Sequence, residues 1–207
     1  AQVEGLLEPA LEAVLKPVPG IEGEFIPDTA DVADATVLNQ YDAVVALDYQ
    51  FPSTSFSEVS RLAIVARWGV GYDRIDVDAC TQAGVILSIT PDSVGRAVAE
   101  GEIALIFALA KNLRTLDRNC RAGHWREQAP TGLNLEGKTL GTVGFGNIGR
   151  ELFSLAHALG FGRLLVHSRS VPKSADLNPG VQFADLDYVL RESDFLTINC
   201  PLNERTR

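Results

Sequence analysis

The 207-residue chain has no methionine, not even at position 1, and only three cysteines. A reading frame starts with Met, so a chain that opens AQVEG and stops at ERTR reads either as a processed protein or, as we expect, as a fragment. Cys80, Cys120 and Cys200 are far apart, odd in number and in no metal-ligand spacing. That argues against a disulfide framework or a cysteine metal site, and fits a reduced cytoplasm. Basic residues are scarce as well: 18 Lys plus Arg stand against 27 Asp plus Glu, a formal charge of −9. With no Lys/Arg run to reverse it locally, this field repels polyanions and argues against nucleic acid as a partner. Long apolar runs are missing. IALIFALA at 103–110 is far too short to span a bilayer, and no basic start followed by an apolar stretch marks a signal peptide, so no membrane partner is expected.

What is present is the composition of a folded globular protein, 46% hydrophobic and 22% charged. LLEPALEAVL (6–15) puts Leu7, Leu11, Val14 and Leu15 on one helical face. GEFIP (23–27) reads as a short strand, DVADATVLNQ (31–40) as a helix, and DAVVALD (42–48) and LAIVARW (62–68) as strands. DVDACTQAG (76–84) reads as a helix closed by Gly84, followed by the strand VILSIT (85–90). Strands alternating with helices predict parallel βαβ units in an α/β fold. The pattern opens on a helix where such a unit opens on a strand, which predicts residues missing at the front.

Asp92, after Thr90-Pro91, is placed to cap one long helix to about Arg121, with Gly123 just beyond it. About 28 residues give roughly 40 Å, enough to bridge two domains. Its apolar positions Val94, Val98, Ile103, Ile106, Phe107 and Leu109 cover more than one stripe, which predicts burial on two sides. RAGHWREQAPTGLNLEG (121–137) reads as an irregular surface loop. A second α/β run follows: the strand KTLGTVGFG (138–146), the helix NIGRELFSLAHALG (147–160), the strands RLLVHS (163–168) and VQF (181–183), the helix DLDYVLRES (185–193) and the strand DFLTINC (194–200).

Gly144-Phe145-Gly146-Asn147-Ile148-Gly149 matches G-x-G-x-x-G. About 0.1 such matches arise by chance in a chain of this length, so the bare pattern is weak. Its context is stronger, because it follows an apolar strand and opens a helix. There the first glycine permits a tight turn, the second admits a pyrophosphate to the backbone and the third lets helix and strand pack closely. Phosphate then meets free N–H groups at the positive helix end. The next strand ends His167-Ser168-Arg169-Ser170, where a carboxylate would normally bind the adenosine ribose of NAD. A 2′-phosphate is repelled by a carboxylate but held by Arg and hydroxyls, so NADP(H) is expected in preference to NAD(H).

These stretches resemble the D-isomer-specific 2-hydroxyacid dehydrogenases, the group that contains D-3-phosphoglycerate dehydrogenase and glyoxylate/hydroxypyruvate reductase. ARWGVGYDRIDVDAC (66–80) is similar to the family's substrate loop, and residues 89–125 to its interdomain helix with an Arg-x-Gly-x-Trp end. GKTLGTVGFGNIGRELF (137–153) is similar to its cofactor motif, and SDFLTINCPLNERTR (193–207) to the segment that closes over the adenosine side. The resemblance implies an α/β fold of two domains, both incomplete here: a flavodoxin-like substrate domain (residues 1–96, first strand missing) and a Rossmann NAD(P)-binding domain (residues 97–207, C-terminal part missing).

It also implies roles. The backbone amides of Val70 and Gly71 would bind a substrate carboxylate, as free N–H groups suit a small anion. Asn147 and Ile148 fall at the pyrophosphate, with Gly144, Gly146 and Gly149 framing it. Ser168 falls at the ribose with Arg169 beside it, and Cys200, Pro201 and Thr206 lie along the cofactor. Val94 stands where many members carry Asn, which puts a side-chain contact there in doubt. The family reduces a small 2-keto acid to a D-2-hydroxy acid with an Arg that holds the substrate, a His that protonates its carbonyl oxygen and a Glu that raises that histidine's pKa. All three lie beyond residue 207 in the family, and His124, His157 and His167 do not match them. The chain alone is therefore expected to be inactive, and the full-length protein a cytoplasmic homodimer. The alternative function is a nucleotide-sensing, corepressor-like interaction protein of the same fold.

Overall fold

A computed structural model describes residues 9, 12–26, 31–124, 129–170 and 180–207. The chain divides into two compact units, Ala1–Val65 with Arg74–Leu87, and Ala66–Asp73 with Ser88–Arg207. The first carries short, locally determined helices. In α1 (Ala35–Leu38) the Asp34 carboxylate accepts from the Thr36 and Val37 N–H groups, and in α2 (Val77–Gln82) Asp76 accepts from Ala79 N–H. Each cap satisfies donors that a helix start leaves free, an effect worth about 1 kcal/mol. After α2, Gly84 takes φ +68° and reverses the chain. The strands β1 (Ala43–Ala46), β2 (Ile64–Arg67) and β3 (Ile86–Ser88) lie in the order β1-β2-β3. Phe51, Phe56, Leu38, Val65 and Cys80 form the core below them. GEFIP is not a strand: residues 23–26 have no regular structure, and Pro27 lies outside the described residues. Its attachment is by side chain instead, with the Tyr41 hydroxyl donating to Glu24 Oε1 at 2.8 Å.

The second unit contains α3 (Gly95–Ala110), α4 (Leu113–Arg121), β4 (Thr139–Val143), α5 (Asn147–Ala158), β5 (Arg163–His167), β6 (Val181–Phe183), α6 (Leu186–Glu192) and β7 (Phe195–Ile198). Its sheet is wholly parallel, in the order β6-β5-β4-β7, with Leu140 opposite Leu164 on one side and Phe195 on the other. The middle strands are buried without alternation, as expected of parallel strands covered on both faces. Leu140, Leu165, Val166, Leu152, Phe153 and Ala156 are essentially inaccessible to solvent. Phe145 packs at 5.4 Å from Phe153 and 5.7 Å from Phe183, which locks the residue inside the glycine turn to this core.

The long helix expected from Asp92 to Arg121 is two helices, α3 and α4. Asn112 adopts the left-handed region (φ +52°), which asparagine tolerates better than most residues. The cause of the break lies in the following loop. Leu133 N–H donates to the Ala110 carbonyl at 2.7 Å, the Lys111 ammonium donates to Leu133 O and Asn134 Oδ1, and the Asn112 carboxamide donates to Thr131 O. The loop thus gives the Ala110 carbonyl the backbone donor that a continuous helix would have found within itself, and its carbonyls hold the Lys111 and Asn112 side chains at the break. Asp92 is not the cap either: Val94 occupies that position with no side-chain bond. Nor is α3 buried on two sides. Ala99, Ile106 and Ala110 face the core, while Leu105 and Leu109 are 67% and 71% exposed, because α3 packs on α5 along one face.

Candidate functional site

β4 is the first strand of its sheet in chain order, yet it lies in the interior, with β5 beside it on one hand and β7 on the other. Such a reversal of strand order opens a crevice at the carboxyl ends of the strands, where α/β sheets bind ligands. The glycine motif sits there. Gly144 ends β4 with φ +100°, and a Cβ on it would lie 2.6 Å from both the Asn199 carbonyl carbon and the Cys200 nitrogen. Only glycine fits between the turn and the backbone leaving β7. Its N–H donates to the His167 carbonyl, and Asn199 N–H donates to the Val143 carbonyl at 2.7 Å. The ends of all three strands are therefore stitched together.

Gly146 is the N-cap of α5, without any side-chain cap, and a Cβ there would meet no protein atom within 4 Å. A Cβ on Gly149, by contrast, would lie 3.1 Å from the Gly144 carbonyl oxygen. One glycine thus turns the chain, one leaves the approach open and one lets α5 pack against the turn. The first N–H groups of α5, at the positive end of a 12-residue helix, face this opening with no side chain to satisfy them. A pyrophosphate suits that donor set. The Asn147 carboxamide is occupied elsewhere, donating to Asp92 Oδ1 at 2.7 Å and Pro91 O at 3.3 Å. Its backbone, like that of half-buried Ile148, remains available to a ligand.

Ser168 and Arg169 follow β5, the first half-buried and the second exposed. Cys200 and Pro201 follow β7, and the Thr206 hydroxyl folds back to donate to the Pro201 carbonyl at 2.6 Å. Val70 and Gly71 lie in a loop held by Arg67, whose Nε donates to Gly71 O at 3.0 Å and whose Nη1 donates to Trp68 O. Among the described residues, neither the Val70 nor the Gly71 N–H has a hydrogen-bond acceptor. Thr90 N–H donates to Gly69 O, and two residues on Asp92 receives Asn147. The segment 90–92 therefore links the loop with the free amides to the start of α5.

Sequence reasoning passed over two groups. Asn199 places its carboxamide between Thr142 Oγ1, Thr197 Oγ1 and Glu102 Oε2, at 3.3–3.4 Å, while Thr142 Oγ1 donates to the Gly144 carbonyl. Burial pushes the Glu102 carboxyl above its ordinary range, and the Asn199 bond partly opposes this. The available signal was a lone carboxylate within an apolar helix. The second group is a surface cleft of about 310 Å³ lined by Arg169, Asn203, Glu204 and Arg205. Its signal was a second arginine in NERTR.

Residues 103–207 match the family described as D-isomer specific 2-hydroxyacid dehydrogenase, NAD binding domain. The chain is 34% identical over 197 residues to a glyoxylate reductase of Thermococcus kodakarensis, covering 90% of this chain and 59% of that protein. It is 38% identical over 146 residues to a hydroxypyruvate reductase of Thermotoga maritima, covering 70% and 46%. A crystal structure of a glyoxylate reductase from Paecilomyes thermophila superposes with a TM-score of 0.76 at 31% identity, over 84% of this chain and 55% of that one. The chain thus spans about half the length of the curated relatives it matches.

Proposed function

Because the chain belongs to the D-isomer specific 2-hydroxyacid dehydrogenase family, we propose that it forms the substrate loop and dinucleotide site of an oxidoreductase that exchanges hydride between NAD(P)H and a small 2-keto or D-2-hydroxy acid. The observation that carries this reading is the opening at Gly146, where an uncapped helix end faces space that no protein atom fills. The dinucleotide, when bound, supplies or accepts the hydride. The chain's own part is to bind and orient: the α5 amides take the pyrophosphate, Ser168 and Arg169 the adenosine ribose, and the backbone after β7 walls the crevice. The free amides of Val70 and Gly71 suit the substrate carboxylate. On this reading residues 1–96 serve the substrate and residues 97–207 the cofactor.

The absence of a carboxylate after β5, where Ser168 and Arg169 stand instead, supports NADP(H) over NAD(H). The 207 residues alone are proposed to bind the dinucleotide without reducing keto acids. His157 is exposed on the last turn of α5, and His167 Nδ1 lies 3.3 Å from the Ala184 carbonyl oxygen, so its ring is held against the backbone. Titration of the chain with NADPH and NADH tests the reading. NADPH should bind more tightly, and no NADPH should be consumed with glyoxylate or hydroxypyruvate. Gly146→Val places its Cβ in open space, so it should leave the fold intact while weakening both dinucleotides by about 100-fold. A folded wild-type chain that binds neither, or a variant that binds as well as wild type, would overturn the reading.

A further inference from the structure

We propose that Arg205, in the turn after β7, is a specificity-determining residue that joins Arg169 in holding the 2′-phosphate of a phosphorylated dinucleotide. The inference rests on the proposed dinucleotide site and adds a residue from a different strand end. Four arginines of known partnership, Arg61, Arg96, Arg121 and Arg163, are ion-paired with carboxylates. Arg169 and Arg205 form no ion pair or side-chain hydrogen bond among the described residues, yet both line the same cleft. Two guanidiniums that share a cleft without ion-pair partners repel each other, and a dianion between them relieves that repulsion while accepting several charge-assisted bonds.

The turn that carries Arg205 is built in advance. Its N–H donates to Asn203 Oδ1 at 2.9 Å, Asn203 N–H donates to Thr206 Oγ1 at 2.9 Å, and the Thr206 hydroxyl donates to Pro201 O. The backbone at 205 is therefore fixed before any ligand arrives, which lowers the ordering cost of binding. The cleft also lies where the phosphate must be. Arg169 follows β5 and Arg205 follows β7, the two strands that flank β4 and its glycine turn. A dinucleotide whose pyrophosphate sits on α5 lays its adenosine ribose over the end of β5. Glu204 lines the same cleft and works against an anion there.

The test measures dissociation constants of NADPH, NADH, adenosine 2′,5′-bisphosphate and 5′-AMP for the full chain and for Arg205→Ala, Arg205→Lys, Arg169→Ala and Glu204→Gln. Arg205→Ala should weaken NADPH and the bisphosphate by about tenfold and shift NADH and 5′-AMP by less than about twofold. Arg205→Lys should restore part of the loss, because it keeps the charge without the planar fork. Glu204→Gln should tighten NADPH by about twofold to threefold. If Arg205→Ala weakens all four ligands equally, the residue serves a shared part of the cofactor and the proposal fails. If it changes none while Arg169→Ala weakens NADPH, the role of Arg205 fails and the dinucleotide site stands. If folded wild-type protein binds none of the four, both fail.

Discussion

The two sheets of this chain are built from similar alternations of strand and helix, but they are buried differently. In the first unit β1 alternates, with Val44 and Ala46 inside and Val45 50% exposed, and in β3 Ile86 is 62% exposed. In the second, β4 is buried from Thr139 to Thr142 and β5 from Leu164 to Val166. A strand covered on both faces has little freedom to shift, because every side chain is interlocked. The glycine turn, whose fit is measured in tenths of an ångström, hangs from that kind of strand. Rigid support beneath a binding turn is the condition for precise placement of its donors.

Two pairs of substitutions test this contrast. Phe153→Ala removes an inaccessible ring from the second core and should cost about 3–5 kcal/mol in urea unfolding, whereas Val45→Ala in the first sheet should cost about 0.5 kcal/mol. Comparable losses would mean that the exposed face of β1 is packed in solution. Next comes Gly144→Ala, which sets a Cβ against backbone at 2.6 Å in a left-handed conformation, for about 2–3 kcal/mol together with loss of dinucleotide binding. Gly84→Ala has the same sign of φ but open space, so it should cost about 1 kcal/mol and leave binding intact. Equal penalties would remove close approach as the reason for Gly144.

The smallest effect concerns Glu102. Burial raises its pKa in the folded state above the ordinary 4.5. Between the ordinary and the raised value the native state keeps a proton that the unfolded chain has released, so stability falls as pH rises through that window. Glu102→Gln abolishes this dependence. Its Tm should match wild type below the window and exceed it above by about 1–2 °C. Thermal melts across pH decide the matter, and a variant less stable than wild type at neutral pH would show that the charged carboxylate is wanted by Asn199.

The second α/β run was readable because its determinants are local. Gly149 answers a need within six residues, its close packing on the Gly144 carbonyl, although the crowding at Gly144 itself comes from distant Asn199 and Cys200. The dissent came wherever a partner lay far along the chain. Nothing in KNLRT stops a helix; the reason for the break is in Thr131 to Asn134. Asp92 has the chemistry of a cap, but its carboxylate is taken by Asn147, 55 positions away. Counting apolar residues on α3 could not tell a covered face from a bare one. The Glu102–Asn199 contact spans 97 positions, and Arg205 becomes interesting only beside Arg169. For the first unit, residues 23–26 had strand composition but pair with no strand among the described residues.

The interior position of β4 also sets an order of assembly. As the chain is made, β4 and α5 emerge ahead of the rest of their sheet, and β5 can add to β4, and β6 to β5, through contacts about 17 to 24 residues apart. The opposite side stays empty until β7 arrives, more than 50 residues after β4, and docks with Asp194 on the Thr139 N–H and Asn199 on the Val143 carbonyl. The glycine turn thus exists early as half of a crevice, and its second wall is among the last long-range contacts to form. A ligand that needs both walls can therefore act as a late clamp on folding, favouring the molecules in which β7 has found its place.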